Sequence, residues 1–261
     1  MAELVKIRKE KDVAVVLLNR PEKFNALNHE LLEKFEKHLV SLAADEEVRA
    51  VVISGEGKAF CAGGDLKGVL EYPRGIPAGF YEMAALFHQA ILEIRRMRKP
   101  VIAAINGVAA GGGFSLALAC DFRVMARSAV LRQAYTSSGL CIDGGCSFTL
   151  PRLVGLARAL EIVAFDKPIS SEQALAWGLV TKVVDDAQVL EEAIKMAHEL
   201  AERSVNAFGM VKQLLTDSFN TPFETQIERE REGISSCGAH PDGREGIKAF
   251  VEKRKPVFKS N

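Results

Sequence analysis

Two glycine-bearing loops hold the residues of this 261-residue chain that are best suited to chemistry. They are residues 60–66 (FCAGGDL) and residues 106–113 (NGVAAGGG). Each follows an apolar run that predicts a buried strand, at 49–54 and at 101–105, and each leads toward a helical stretch. Glycine has no Cβ, so a ligand atom can approach the backbone N–H groups of such loops closely. The pair can therefore aim two N–H groups at one oxygen that becomes negative during a reaction.

The spacing alone also allows two other interpretations. Glycines after strands often form tight turns or helix C-caps. A dinucleotide or phosphate loop is a further alternative, but residues 111–113 (GGG) lack the Gly-x-Gly-x-x-Gly spacing, and no Gly-Lys-Ser/Thr follows either loop. An oxyanion site is thus one hypothesis among three at this point.

The elements that must position these loops alternate between strand and helix patterns, which predicts an α/β fold. Beyond Pro151 the chain is predicted to be mostly helical. The predicted strands are 5–8, 13–19, 50–54, 101–105, 122–125 and 130–131, and the predicted helices are 29–43, 78–97, 114–119, 156–165, 171–177 and 189–203.

Composition favours a globular metabolic protein. Lys plus Arg and Asp plus Glu both number 34, so no net basic field favours nucleic acid or a membrane surface as a partner. The five cysteines show no ligand spacing, which favours reduced thiols and no metal site. The first residues lack a signal-like apolar segment, and no stretch is long and uncharged enough to span a bilayer. We therefore expect a cytoplasmic protein.

Several segments resemble the signature segments of the crotonase (enoyl-CoA hydratase/isomerase) superfamily. In order and spacing they cover nearly the whole chain: 19–27 (NRPEKFNAL), the two glycine loops, 99–105 (KPVIAAI), 170–174 (SSEQA), 177–180 (WGLV), 244–247 (REGI) and 250–254 (FVEKR). The resemblance implies acyl-CoA thioester chemistry through a stabilised enolate or a related oxyanion. It also implies that the N–H groups of Gly64 and Gly112 form the oxyanion hole.

The same resemblance implies a fold and an assembly. The fold is a spiral of ββα units that makes two roughly perpendicular sheets, followed by a C-terminal helical trimerisation region. On this basis we expect a core domain over residues 1–203 and an oligomerisation region over residues 204–261. The family usually forms homotrimers, often paired as hexamers. No cofactor is expected beyond the CoA moiety of the substrate.

The sequence departs from the family's hydratases at their two catalytic glutamates. The matched residues here are Ser115 and Tyr135. Neither replaces a carboxylate as a base near neutral pH, since a phenol titrates near ~10. Ordinary syn-hydration, which uses both carboxylates, is therefore not the expected reaction.

One acid remains in the matched region, Asp143 in the segment 139–145 (GLCIDGG). An aspartate before glycine is often only a turn residue or a helix N-cap. Several crotonase branches, however, carry a catalytic aspartate at this position, and the ring-1,2-epoxyphenylacetyl-CoA isomerases look nearest, because Tyr135 and residues 150–152 (LPR) also match them. The resemblance thus implies a double-bond (enoyl-CoA) isomerase with Asp143 as proton shuttle.

Three alternatives stay open. One is an enoyl-CoA hydratase with an atypical site. Another is an aryl-CoA dehalogenase, in which Asp143 is the nucleophile. A catalytically weak crotonase-fold protein kept for binding is the third. Glu82 is a reserve acid, whereas His88 is expected to be a surface or interhelix residue.

The family pattern also implies a set of substrate-binding residues. Tyr135 is expected to form a wall of the acyl pocket, and two C-terminal residues are expected to reach CoA on a neighbouring subunit. The expected CoA-binding residues are Lys23, Asn25, Ala26, Ala62, Asp65 and Leu66, with Phe250 and Lys253 from the C-terminal segment.

Overall fold

The structure is a computed structural model that describes residues 3–259, and in this range ten strands form two sheets. The six-stranded sheet has the order β1-β2-β3-β5-β7-β10, and the four-stranded sheet has the order β4-β6-β8-β9. The strands are β1 Val5–Glu10, β2 Val13–Leu18, β3 Ala50–Gly55, β4 Ala59–Cys61, β5 Val101–Ile105, β6 Val108–Ala110, β7 Phe122–Ala126, β8 Val130–Arg132, β9 Ile169–Ser170 and β10 Lys182–Val184.

Most strand pairs in both sheets are parallel. In the larger sheet only β1 and β2 run antiparallel, with Val5 opposite Leu18. In the smaller sheet β4, β6 and β8 are parallel, and β9 pairs with β8 antiparallel. Every residue of β3 and of β5 is buried, as expected for parallel strands that are covered on both faces.

Three short turns carry the chain from one sheet to the other. They join β3 to β4, β5 to β6 and β7 to β8. At the second turn the backbones approach closely, because a Cβ on Gly107 would lie 2.1 Å from the Lys58 carbonyl oxygen. Helices follow these strand pairs, so the chain repeats a ββα unit as it advances. The α/β spiral expected from the sequence is confirmed.

Eleven α-helices complete the described part of the chain, and most of their starts carry local signals. Asn28 caps α1 by accepting from the Leu31 N–H, and Ser170 forms a capping box with Gln173 at α7. The helices are α1 His29–Ala44, α2 Leu66–Leu70, α3 Ile76–Arg96, α4 Gly112–Ala119, α5 Cys146–Val154, α6 Leu156–Phe165, α7 Ser171–Ala176, α8 Val189–Ala201, α9 Val205–Asp217, α10 Phe223–Ala239 and α11 Pro241–Val251.

The long elements agree with the sequence prediction to within about two residues, whereas several short ones were not predicted. The strands β4, β6, β9 and β10 have two or three residues each, too few to show a period of two. The helix α5 was also missed, since it includes Pro151, beyond which the helical region was expected to begin.

A buried ion pair fastens α9 to the six-stranded sheet. The Lys212 Nζ lies 2.8 Å from the Asp121 carboxylate and also donates to the Ile94 carbonyl. Asp121 in turn accepts from the Val101 N–H at the start of β5. Both side chains of the pair are less than 15% exposed. Burial raises the pKa of Asp121, and the Lys212 ammonium opposes that rise.

Lys212→Met should therefore destabilise the protein strongly. It leaves the Asp121 carboxylate buried without its cation, a change that typically costs about 3–5 kcal/mol of unfolding free energy. Urea denaturation measures the loss. Lys182→Met is the control, because it breaks an exposed pair with Glu192 and should change stability far less. Equal stability of the two variants would contradict a structural role for the Lys212–Asp121 pair.

Candidate active site

The two glycine loops touch each other through their backbones. A Cβ on Gly113 would lie 2.0 Å from the Cys61 carbonyl oxygen, a distance that no side-chain carbon tolerates. Gly63 has a φ of +100°, and a Cβ there would lie 3.0 Å from the Ala110 carbonyl oxygen and 3.3 Å from the Gly112 nitrogen. Glycine is required at both positions, because either side chain would push the loops apart.

The N–H groups of Gly64 and Gly112 have no backbone acceptor among residues 3–259. Leu27 bridges the first loop on either side of Gly64, since its N–H donates to the Gly63 carbonyl and its carbonyl accepts from the Asp65 N–H. Gly112 is the first residue of α4, where a helix leaves its N–H groups without intrahelical partners. The α4 dipole adds to the attraction for an anion at this point.

Both glycines line one cavity of about 450 Å³. Its walls are mainly apolar, and they come from the two loops, from one face of α3 and from the segment before α5. The aliphatic and aromatic lining residues are Leu27, Leu32, Leu66, Pro77, Phe80, Tyr81, Met83, Phe87, Tyr135 and Leu140. A cavity of this kind fits an apolar acyl group whose carbonyl oxygen meets the two N–H donors.

Asp143 is the one carboxylate among the described residues that line this cavity. It lies in the loop before α5, and its side chain is 36% exposed. The next residue, Gly144, has a φ of +61° and packs so tightly that a Cβ there would lie 2.3 Å from Phe87 Cε1. The close contact with α3 fixes the backbone that carries the carboxylate.

His88 is the partner of this carboxylate. Its Nε2 lies 2.6 Å from Asp143 Oδ1. The histidine reaches from α3, and its side chain is 47% exposed. No sequence pattern predicts this contact, and the expectation that His88 is a surface or interhelix residue and not a catalyst stays a prediction. An imidazole N–H that donates to Oδ1 holds one carboxylate oxygen and leaves the other outside this contact.

Ser115 and Tyr135 bond to each other beside Asp143. The Ser115 Oγ lies 3.0 Å from the Tyr135 hydroxyl and donates to the Asp143 carbonyl oxygen at 2.8 Å. Burial raises the pKa of the Tyr135 phenol above its usual range, so it stays neutral. Tyr135 lines the cavity as the sequence predicts, and no second carboxylate stands at either position.

The expected CoA-binding residues divide into two groups. Ala62 and Leu66 line the cavity. Asn25 does not reach it: the side chain is fully buried, its Oδ1 accepts from the Arg20 N–H and its Nδ2 donates to the Ala59 carbonyl. The Asn25 amide is therefore a structural element of the loop and is not free to bind a ligand.

Lys23, Ala26 and Asp65 lie near the first loop but outside the cavity lining. Lys23 ends an exposed 3₁₀ turn, and the Ala26 carbonyl accepts from Arg20. Asp65 caps α2 and pairs with Arg20 at 3.0 Å. Burial raises the pKa of Asp65, but Arg20 and the Gly68 N–H lower it more, so the net value falls below the usual range.

Phe250 and Lys253 lie at the end of α11, away from the cavity of their own chain, and Phe250 is 84% exposed. Contact with CoA on a neighbouring subunit stays a prediction for both residues. Glu82, the reserve acid, is held by the Tyr72 hydroxyl and Arg74, and it is not among the described lining residues. Its carboxylate is thus already occupied.

The face that α3 turns to the cavity was the main feature that the sequence prediction missed. Phe80, Met83, Ala84 and Phe87 line the cavity and follow one another at spacings of three, one and three residues, which places them on one side of a helix. This spacing was visible in the sequence, but it does not tell a core-facing helix from one that lines a site.

Comparison with known proteins decides the family. The family profile described as enoyl-CoA hydratase/isomerase matches residues 8–261. The chain belongs to the enoyl-CoA hydratase/isomerase family. Within this family it is 36% identical to the 1,2-epoxyphenylacetyl-CoA isomerase of Escherichia coli (strain K12), over 99% of each protein. It is 33% identical to the 4-chlorobenzoyl coenzyme A dehalogenase-1 of Arthrobacter sp., over 92% of this chain and 88% of that protein.

A solved structure agrees with the fold. The crystal structure of an enoyl-CoA hydratase from Polaromonas sp. JS666 superposes with a TM-score of 0.92 at 38% identity, over 97% of this chain and 98% of that chain. The three proteins are named for different reactions, and all three names refer to CoA thioesters. An enzyme of acyl-CoA chemistry is therefore the activity that membership of the enoyl-CoA hydratase/isomerase family supports.

Two further features are absent from residues 3–259. No helix there is long and apolar enough to cross a membrane. No three His, Cys, Asp or Glu side chains in the same range lie together as metal ligands.

Cys141 offers a direct probe of the cavity, because it is exposed and lines the same walls as Asp143. We expect N-ethylmaleimide to modify Cys141 first near neutral pH, since burial raises the pKa of Cys61 and of Cys146 to about 12. Octanoyl-CoA at ten times its Kd should slow the Cys141 reaction about tenfold. Peptide mass spectrometry follows the labelling.

Cys237 is the internal control, because it is half-buried and lies outside the cavity. Its labelling rate should not depend on octanoyl-CoA. Equal labelling of Cys141 with and without the thioester would show that the acyl group binds elsewhere.

Proposed function

We propose that the protein is an acyl-CoA double-bond isomerase in which Asp143 carries the proton. The observation that supports this most directly is the presence of a single carboxylate, Asp143, among the described lining residues of a cavity that also holds two free N–H donors. An isomerisation needs one group that removes a proton and returns it. A hydration by the family's two-carboxylate route needs a second carboxylate, and Ser115 and Tyr135 stand where it would be.

The proposed reaction starts from a 3-enoyl thioester. Asp143 takes a proton from the carbon next to the thioester carbonyl, so the C–H bond breaks and an O–H bond forms on the carboxylate. The electron pair moves onto the carbonyl oxygen, where the N–H groups of Gly64 and Gly112 stabilise the enolate. Asp143 then returns the proton two carbons further along, and the double bond moves into conjugation. No other reactant is consumed.

The apolar walls support this assignment. Aromatic and aliphatic side chains from α3 cover the cavity, and an acyl chain that binds there displaces water from the site. Exclusion of water strengthens the hydrogen bonds to the enolate and protects it from other reactions. His88 holds the carboxylate in place while the proton travels.

A panel of straight-chain and cyclic 3-enoyl-CoA thioesters tests the reaction class. We expect product of unchanged mass in ordinary water, with the absorbance of a conjugated thioester, and deuterium incorporation in D₂O. Product that has gained a water would instead support the atypical hydratase. No conversion of any member would support the weakly catalytic binding protein.

Asp143→Asn should lower kcat by about 10²–10⁴-fold, because the amide keeps the size of the side chain but removes the base. The KM for the best member of the panel should change little, since the apolar walls are intact. Tyr135→Phe is the comparison, and it should cost far less because the phenol is assigned to the wall. An Asp143→Asn enzyme that isomerises and exchanges deuterium at the parent rate would rule out this shuttle.

Gly112→Pro should lower kcat by about 10²–10³-fold, because proline removes one donor to the oxyanion. Proline is accepted at the first position of a helix, where Gly112 lies. Gly112→Ala is the matched control, because it keeps the N–H and adds a Cβ that would lie 3.0 Å from the Leu27 Cδ1 and 3.7 Å from the Gly63 Cα and the Phe87 Cε1. Circular dichroism checks the fold of both variants, and similar kcat values for the two would remove Gly112 from the oxyanion hole.

A second candidate, an aryl-CoA dehalogenase, is favoured by the position of His88. In that reaction Asp143 attacks the ring carbon, the halide leaves, and an aryl ester forms on the carboxylate. A base must then activate water to hydrolyse the ester, and His88 lies 2.6 Å from the carboxylate. Halide release from 4-chlorobenzoyl-CoA, measured beside the 3-enoyl panel, decides between the two activities.

Assembly into a homotrimer or hexamer is also part of the proposal, with the division of the chain at residue 203. Ser204 caps α9, so the division coincides with the start of a helix. Large apolar side chains lie exposed on the helices beyond it, and they would be buried against other copies. They are Val211, Leu215, Phe223, Ile227, Ile234, Ile247, Phe250 and Val251.

A further inference from the structure

Ser115 joins the two halves of the proposed site. It lies on α4, three residues after Gly112 and thus on the same side of the helix. Its side chain is fully buried. Its hydroxyl contacts the backbone that carries Asp143 and the side chain of Tyr135. One short side chain therefore links the helix that presents an oxyanion donor to the loop that presents the carboxylate.

The direction of these hydrogen bonds follows from counting protons. A carbonyl oxygen only accepts, so the single Ser115 proton is donated to the Asp143 carbonyl at 2.8 Å. The Gly111 carbonyl lies farther away, at 3.4 Å. The Tyr135 hydroxyl, 3.0 Å from the Ser115 Oγ, must then be the donor in its own contact. The only phenolic proton of Tyr135 is thereby used inside the protein and is not available to a substrate.

Packing around the same point limits the movement of the loop. A Cβ on Gly144 would lie 2.9 Å from the Ser115 Cβ, so the residue after Asp143 is pressed against α4. The hydrogen bond and this contact act on adjacent residues. Together they fix the Asp143 backbone relative to Gly112.

We propose that Ser115 is a positioning residue, which sets the placement of the Asp143 carboxylate relative to the Gly112 N–H. Tyr135 completes the arrangement by donating to Ser115. Ser115 and Tyr135 stand where the family's hydratases have their two glutamates. In this chain they form a neutral, hydrogen-bonded pair that positions the one carboxylate, Asp143. This inference rests on the proposed function, since it assumes that Asp143 acts on the acyl group.

Ser115→Ala tests the inference in two backgrounds, with the best 3-enoyl-CoA of the panel as the probe. In the parent enzyme it should lower kcat about 10–100-fold with KM within about twofold, because a displacement near 1 Å costs rate and not ground-state binding. In Asp143→Asn it should have no further effect, because the residue that it aims is already inactive. A merely structural role would lower the rate by the same factor in both backgrounds.

Ser171→Ala is the matched control. Ser171 is also fully buried, its hydroxyl donates to the Arg127 carbonyl at 2.7 Å, and it is not among the described lining residues. The Ser171→Ala variant also loses a buried hydrogen bond from serine to a backbone carbonyl, so it reports the effect of lower stability alone. Its kcat should stay at the parent value. Ser115→Cys fills nearly the same space with a weak donor, and it replaces Ser115→Ala in the cycle if that variant does not fold.

The outcomes separate the two claims. If Asp143→Asn keeps the parent rate, the proposed function fails and Ser115 has nothing to aim. If Asp143→Asn is impaired but Ser115→Ala keeps the parent rate, or lowers both backgrounds equally, only the inference about Ser115 is overturned. Loss of rate confined to the background that retains Asp143 supports it.

Discussion

The site depends on a backbone contact between two loops that leaves no room for side chains. The strands β4 and β6 run parallel, so their carboxyl ends meet at the same edge of the smaller sheet. The loops that follow then converge until Gly113 touches the Cys61 carbonyl and Gly63 approaches Gly111. Only this closeness brings the two unpaired N–H groups to the wall of one cavity. Because these N–H groups belong to the backbone of two loops packed against each other, their positions are set by the protein and not by a ligand.

A second consequence concerns charge. In the proposed reaction the Gly64 and Gly112 N–H groups attract a negative oxygen, whereas most of the cavity wall carries no charge. Asp143 is the exception among the described lining residues, and its surroundings hold it by contacts of different kinds. His88 bonds the carboxylate, Ser115 bonds the backbone carbonyl, and Gly144 packs against Phe87. In the proposed reaction such a site supplies one group that carries a proton and fixed hydrogen-bond donors for the negative charge, which is what a proton shift within one molecule requires.

Sequence patterns predicted the elements that are long enough to show a periodic pattern of apolar residues. Strands such as β5 and helices such as α6 were predicted with the bounds that the structure gives, since five or more residues of one pattern suffice. The short strands β4 and β6 were missed although they bear the site, because three residues show no period. The contact between His88 and Asp143 joins residues 55 positions apart, and no local pattern encodes such a distance.

Asn25 shows that a sequence motif does not tell whether a polar side chain contacts a ligand or the protein's own backbone. The family motif implies that Asn25 contacts CoA. Its side chain is buried and makes three hydrogen bonds that stabilise the loop after β2, and these contacts depend on the tertiary fold. A buried polar side chain beside a site can thus stabilise the loop that forms the site, and contact of Asn25 with CoA stays a prediction. The same distinction separates Glu82 from Asp143. Glu82 is held by Tyr72 and Arg74 and is not among the described lining residues, whereas Asp143 lines the cavity and is held by His88 at one oxygen.

The exposure of Asp143 gives the acyl group a part in the proposed reaction, which is to shield the carboxylate from water. With 36% of its side chain accessible, the carboxylate is hydrated as long as the cavity is empty. In the proposed reaction, an acyl chain that fills the space between Phe87 and Leu140 removes that water and brings the substrate carbon next to the carboxylate. The substrate thus completes the apolar environment that the protein leaves open. A short acyl group would fill this space poorly, so the proposed function implies acyl groups bulky enough to cover Asp143.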